Sequence, residues 1–278
     1  MLHLQLRNEL WKLFGKKRTY IGFAMFVLAQ LVILLVFRFS RASSGMGALL
    51  ENNGYDMTSF LSPLTAATFT NFWLAYLLLP LFGTLVGGDL VAKEAEDGTL
   101  RLILARPISR LRLLALKWVA GALFSLLLTL MLGLTGLLLG LTCFPWGGLF
   151  YFVPGESFAV FEPGTGLIRY SAAHLLMALK AISVMGLSFF FGCFNVKPAA
   201  ATILALSLIF LSFILMNIPW FADLKPWFLT YHLNLWQQVY GDPIQWGRIG
   251  ESLFLLVGFN ATFFAGGVAV FSVRDIKS

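Results

Sequence analysis

Six stretches of this 278-residue sequence are apolar for long enough to cross a bilayer, at about 20–37, 68–90, 112–142, 172–194, 198–218 and 252–273. Covering roughly 30 Å of hydrocarbon takes about 20 such residues. Irregular backbone is not stable against lipid, so the runs predict helices. They are long and continuous rather than short and alternating, which excludes a transmembrane barrel. With 59% hydrophobic and 12% charged residues, the chain also has too little polar surface to cover a soluble core. The sequence therefore predicts an all-α membrane protein, a single transmembrane domain over 1–278. No internal repeat or low-complexity tract marks a second one.

An even number of spans puts both ends of the sequence on one side, and the basic residues say which. Arg7, Lys12, Lys16, Lys17, Arg18, Lys93, Arg101, Arg106, Arg110, Arg112, Lys117, Lys197, Arg274 and Lys277 share that side, 14 of the 20 Lys and Arg. The positive-inside rule then places both termini and the loop between spans two and three in the cytoplasm. The net charge of +7 is thus an orientation signal first, and no nucleic-acid partner is expected. The first apolar run is longer than the core of a signal peptide and lacks a small-residue cleavage site, so it reads as a retained span.

Residues 2–14, LHLQLRNELWKLF, carry leucines at helical spacing with Gln5, Asn8, Glu9 and Lys12 elsewhere. This predicts an amphipathic helix lying on the membrane surface, in contact with lipid headgroups. On the outer side, residues 38–67 and 143–170 read as loops, the latter with turn signals at FPWGG, VPGES and EPGTG. Residues 219–246 are too polar to span and too aromatic for a free loop. They predict one or two interfacial or re-entrant helices before span six, with Trp220, Trp227 and Trp236 at headgroup level and Lys225 and Asp242 holding the ends toward water.

The densest charge lies at 94–110, EAEDGTLRLILARPISR. Span two runs out of the lipid into Glu94, Glu96 and Asp97. Gly98 tolerates the left-handed conformation that stops a helix, and Thr99 can cap a new one. Leu100, Ile103 and Leu104 fall on one face of that short helix and Arg101 on another. Pro107 ends it, and Ser109 can cap span three, which begins at Arg110. The block predicts a short amphipathic helix along the cytoplasmic face, presenting charge and an apolar strip to water, as a docking element would.

From Glu94 to Lys117 this pattern resembles the cytoplasmic signature of type-2 ATP-binding cassette (ABC) exporter permeases. It is especially similar to the bacterial copper-maturation and gliding-motility permeases. The matching residues are Glu94, Gly98, Thr99, Leu100, Leu104, Pro107, Ile108, Ser109, Arg110 and Lys117. The resemblance implies a permease subunit in a bacterial inner membrane, paired with a second permease copy as a homodimer or heterodimer. It also implies a separate cytoplasmic ABC ATPase carrying ATP and Mg, and a coupling helix formed by the 94–110 block. The substrate class is not implied. A second role fits the same resemblance: a mechanical transmitter that drives an extracytoplasmic protein without transport.

No G-x-x-x-x-G-K-[ST] phosphate loop occurs, so ATP hydrolysis by this chain is not expected. GLSFF at 186–190 lacks the second glycine of a serine-hydrolase motif, and nothing in the sequence pairs Ser188 with His174, on the same span. His3, His174 and His232 have no metal-ligand spacing and read as polar interfacial residues. Cys143 and Cys193 read as lone packing residues at opposite ends of neighbouring spans. Gln30, Asn71 and Asn260 are expected to bond between helices, and Gly83-x-x-x-Gly87 and Gly136-x-x-x-Gly140 to allow close helix approach, within one chain or between two. Lys180 lies inside span four. Either it snorkels to the outer headgroups, or it is a pairing or substrate-path residue.

Overall fold

The structure, a computed structural model, describes residues 2–105, 108–153 and 157–274. Pro107, Arg106 and Lys277 lie outside these, as do the side chains of Arg18 and Leu104. Five helices are long and apolar enough to cross a membrane: α2 (Lys17–Phe39), α8 (Arg110–Cys143), α9 (Pro163–Gly192), α10 (Pro198–Asn217) and α12 (Trp246–Val273). Two more, α5 (Pro63–Tyr76) and α6 (Leu78–Glu96), replace the single second span that the sequence predicts. They meet at Leu77 with a bend of 48°. Pro80 explains the break, because it has no N–H to offer the Tyr76 carbonyl one turn back. The pair still traverses the bundle. At the start of α5, Ser62 Oγ donates to the Gly148 carbonyl at 2.5 Å, just past the end of α8. At the far end of α6, Glu94 lies 2.7 Å from Lys117, near the start of α8. Counted as one span, α5 and α6 make six.

The amphipathic helix α1 (Leu2–Phe14) precedes α2, burying Glu9 and Leu13 while Trp11 is exposed. The centre of the bundle is α9, with 67% of its apolar window buried inside the chain against 11% for α12. Small residues let the helices close on it. A Cβ on Gly87 would stand 2.2 Å from the Met185 carbonyl of α9, and one on Gly140 would stand 2.9 Å from the Pro63 carbonyl of α5. Both small-residue faces therefore pack within the chain.

Outside the spans the sequence reading missed regular structure. Residues 41–52 form helix α3 (Arg41–Asn52), and Asp56 caps the short α4 (Met57–Phe60) through Thr58 and Ser59. Within 143–170, strands β1 (Leu149–Val153) and β2 (Ser157–Phe161) pair antiparallel, Leu149 opposite Phe161 and Val153 opposite Ser157. The segment before α12 is a 3₁₀ stretch at 219–227, the short helix α11 (Leu229–His232) and a second 3₁₀ stretch at 235–240, as expected of a segment too polar to span.

These packing distances yield a paired prediction. Gly87→Ala must push α6 off α9 and should cost about 1–3 kcal/mol, as overpacking does. Gly258→Ala, in α12 with no atom within 4 Å of the added methyl, should be neutral or stabilising by up to about 1 kcal/mol. Melting temperatures of the two variants in the same detergent would separate them, and equal values would refute the close approach.

Candidate functional site

The charged block folds largely as its local chemistry dictates. Gly98 has φ +72°, the left-handed conformation that ends α6, and α7 (Thr99–Leu104) follows directly. Ser109 accepts from the Arg112 N–H at 3.3 Å and so caps α8. Thr99 departs from expectation. It is the first helical residue of α7, not its cap, and its hydroxyl donates back to the Glu94 carbonyl at 3.3 Å.

The faces of α7 also differ from the expected strip. Leu100 is 1% exposed, packed in the chain's own core, and Ile103 is half-buried against the same core. Among the described side chains of α7 the apolar one turned outward is Leu102, at 72% exposure, with Arg101 also exposed beside it. A six-residue helix between two spans needs one face for its own protein, and Leu100 supplies it.

Beneath α7 lies a ring of alternating charge. Lys117 Nζ is 2.9 Å from Glu9 and 2.7 Å from Glu94, while Lys12 Nζ is 2.6 Å from Glu9 and 2.9 Å from Glu94. Lys117 is 1% exposed. Its approach to Glu94 is an ion pair lying off the hydrogen-bond direction, whereas it donates a true hydrogen bond to Glu9. Burial pushes the Glu9 carboxyl up, but Lys117 and Lys12 outweigh it and hold the pKa below its ordinary value. Burial likewise lowers Lys12, and bonds to Glu9 and Glu94 more than restore it. By contrast Glu96 and Asp97 pair with Lys93, 2.8 and 3.0 Å away at the surface. A cavity of about 870 Å³ opens beside the ring, lined by all four charges and by Leu102 and Ile103. Arg110 serves the same end differently. Its guanidinium donates to the carbonyls of Phe271, Ser272 and Arg274, capping α12, and Arg274 donates in turn to Cys193 and Phe194, capping α9.

At mid-depth a set of uncharged polar groups is mutually bonded. Gln30 donates to Asn71 and to the Leu132 carbonyl and accepts from Thr135. Asn71 in turn contacts Tyr170 at 3.1 Å and His174 Nε2 at 3.0 Å. The Tyr170 carbonyl lies 2.8 Å from His174 Nδ1, which fixes that nitrogen as the donor and leaves Nε2 to accept. His174 is therefore interior, not interfacial as its sequence suggested. Ser188 is committed elsewhere, donating to the Thr84 carbonyl at 2.6 Å rather than pairing with His174. Among the described residues no group of three or more His, Cys, Asp or Glu could hold a metal ion. Cys143 and Cys193 are both free.

At the opposite end Trp220 and Trp227 are 83% and 77% exposed, with Lys225 and Asp242 exposed as well. Trp236 corrects the expectation. It is 1% exposed, packed on Phe72 and Tyr240 inside the bundle. Arg169 ties this segment down, donating to the carbonyls of Val239 and Gly241. Lys180 does not snorkel. It is 3% exposed, and its Nζ lies over the Tyr76 ring, 4.6 Å from the centroid.

Residues 6–235 match the family described as "ABC-2 family transporter protein". The chain is also 26% identical over 239 residues to the uncharacterized protein YhcI of Bacillus subtilis, covering 82% of this chain and 72% of that protein.

The ring makes its own prediction. Lys117→Met leaves Glu9 and the partly buried Glu94 with Lys12 alone and should destabilise by about 3 kcal/mol, the lower end for breaking a buried pair. The triple variant Lys117→Met/Glu9→Gln/Glu94→Gln should recover much of that loss. Lys93→Ala, which breaks only surface pairs, should cost less than about 1 kcal/mol. Because Glu9 titrates lower when folded and Lys12 higher, the ring's contribution should hold between their ordinary values, 4.5 and 10.5, and be lost outside that range. Thermal melts across pH would check both. A single variant no worse than Lys93→Ala would refute the ring.

Proposed function

The chain belongs to the ABC-2 family of transporter proteins, and we propose that it is the permease subunit of an ABC exporter. It is a multi-pass membrane protein, and permeases of this family typically lack catalytic activity and generally work with an ABC ATPase. In our reading the ATPase is a separate cytoplasmic chain that binds ATP and Mg. The permease acts as a dimer in a bacterial inner membrane, with both termini cytoplasmic and residues 1–278 forming one transmembrane domain. The 94–110 signature favours the copper-maturation and gliding-motility branch.

The observation that carries this reading is the combination at α7. An apolar side chain, Leu102, projects at 72% exposure from a helix whose base is held by buried ion pairs. A solvated loop that merely set topology would need neither. The docking surface is Leu102 and Arg101, with the carboxylates of Glu96 and Asp97 on the adjoining turn. Leu100 and Glu94 instead transmit its displacement to the bundle, and Thr99, Ser109 and Arg110 hold the geometry.

The alternative, a mechanical transmitter driving an extracytoplasmic protein, draws on the exposed pair Trp220 and Trp227. Aromatic side chains of this kind serve equally as a headgroup anchor, an external gate or a platform.

Two experiments test these readings. Leu102→Asp should abolish co-purification and stimulated ATPase activity of the permease–ATPase complex while moving the permease's own melting temperature little, since surface substitutions cost within about 0.5 kcal/mol. Leu100→Asp should instead destabilise the permease itself. Unchanged coupling in Leu102→Asp refutes α7 as the docking helix. At the other end, Trp227→Ala should alter substrate-stimulated activity of the isolated complex if the segment gates. If it is a platform, that activity should be unchanged and only binding of an external protein should fall.

A further inference from the structure

Lys180 is a buried amine with no acid beside it among the described residues, and the group facing its Nζ is the Tyr76 ring. An unpaired charge at this depth costs several kcal/mol unless something compensates it. An aromatic face supplies only part of that.

The surroundings supply space for the rest. Lys180 lines a cavity of about 160 Å³ together with Tyr76, Pro80, Thr230 and Asn234. Two walls of this cavity face outward from the bundle. One is the helix break, where Leu77 is 63% exposed, and the other is α10, where Phe210 and Phe213 are 54% and 44% exposed. Asn234 also lines a second cavity of about 500 Å³ at the outer end. That cavity holds Lys225 and Arg248 with Gln237, Gln238 and Gln245, and no acid among the described residues. Both cavities thus offer positive charge and amide donors. Only the Lys180 cavity adds an apolar flank open to lipid.

We propose that Lys180 anchors the oxyanion head of an acidic amphiphile, with the amide of Asn234 as a second donor and the acyl chain lying along Leu77, Phe210 and Phe213. The break in span two makes the site. Tyr76, Leu77 and Pro80, the residues at the 48° bend, all line it. The inference uses neither α7 nor an ATPase, so it stands apart from the coupling reading.

Native mass spectrometry of the full chain in detergent, titrated with phosphatidylglycerol or phosphatidylcholine, tests it. The wild-type chain should retain phosphatidylglycerol about tenfold more strongly, the scale of one charge-assisted contact. Lys180→Met should lose that preference and Lys180→Arg should keep most of it. Asn234→Asp, which places a carboxylate in the cavity, should expel the anionic lipid, and it decides the matter alone should Lys180→Met fail to fold. Preference surviving in Lys180→Met or in Asn234→Asp, or absent from the wild type, overturns the proposal. Inorganic phosphate that competes off phosphatidylglycerol through Lys180 at millimolar concentration would make the ligand a free anion and overturn the amphiphile.

Discussion

Lys117 ties α1, α6 and α8 together at one end of the bundle. An ammonium at 1% exposure is tolerable only with its counter-charges in place, and these come from distant parts of the chain. Glu9 is 108 residues away and lies on α1, and Glu94 is on the extension of α6 beyond the apolar stretch. Lys12 closes the ring, so two positive and two negative groups cancel inside a small volume. That neutrality lets the ring sit at a bundle end without a net charge to solvate. It also changes what α1 is for. Leu6, Leu10 and Leu13 pack against the core instead of facing lipid, and Glu9 turns the helix into a clamp across the ends of α6 and α8.

Polar chemistry is graded by depth along the bundle. Ion pairs gather at the end that holds α7, where water is near. At mid-depth, Lys180 apart, the groups are amides, a hydroxyl, a phenol and an imidazole, each bonded to another helix, because neutral donors and acceptors are satisfied there at less cost than charges. The Gln30, Asn71, Thr135, Tyr170 and His174 contacts knit α2, α5, α8 and α9 together. Side-chain bonds within the bundle also reach α10 and α12. Thr202 reaches the Thr84 carbonyl at 3.3 Å and Asn260 reaches Ser183 at 2.7 Å. With 11% of its window buried, α12 leaves most of its apolar surface for lipid or a second subunit.

What could be read from the sequence was what short-range chemistry decides. Gly98 had to end a helix and Ser109 could cap one, and both do. Gln30, Asn71 and Asn260 had to find partners in an apolar medium, and they found neighbouring helices. Side-chain facing was not legible where two partners compete for one strip. Leu100 and Leu102 are equally apolar, and only the position of the core says which is buried. The same holds for Trp236 against Trp220. Other features had signals that went unread. Pro80 inside an apolar run marks the break, and LFYFV and SFAVF flanking a Pro-Gly pair mark two strands. The partners of Lys117 had none, since pairing across 108 residues is a tertiary fact.

The two ends of α6 connect the proposals made for them. Its 19 residues form a rod of about 28 Å, at the usual rise per residue. One end carries Glu94 in the charge ring and turns directly into α7. The other is the break at Leu77 and Pro80, which walls the Lys180 cavity. Against its length lies α9, approached so closely at Gly87 that α6 cannot tilt there without forcing Met185 aside. A push delivered at Leu102 would therefore reach the rod through its own backbone and be shared with α1 and α8 through Lys117. It could be released where the helix is already discontinuous. Tilting α6 about its glycine contact would move Leu77 and Pro80 against α10, widening or closing the lipid-facing side of the Lys180 cavity. In that arrangement the buried charges keep the driven end stiff, and Pro80 puts the compliant point beside the one buried cation that lacks an acid among the described residues.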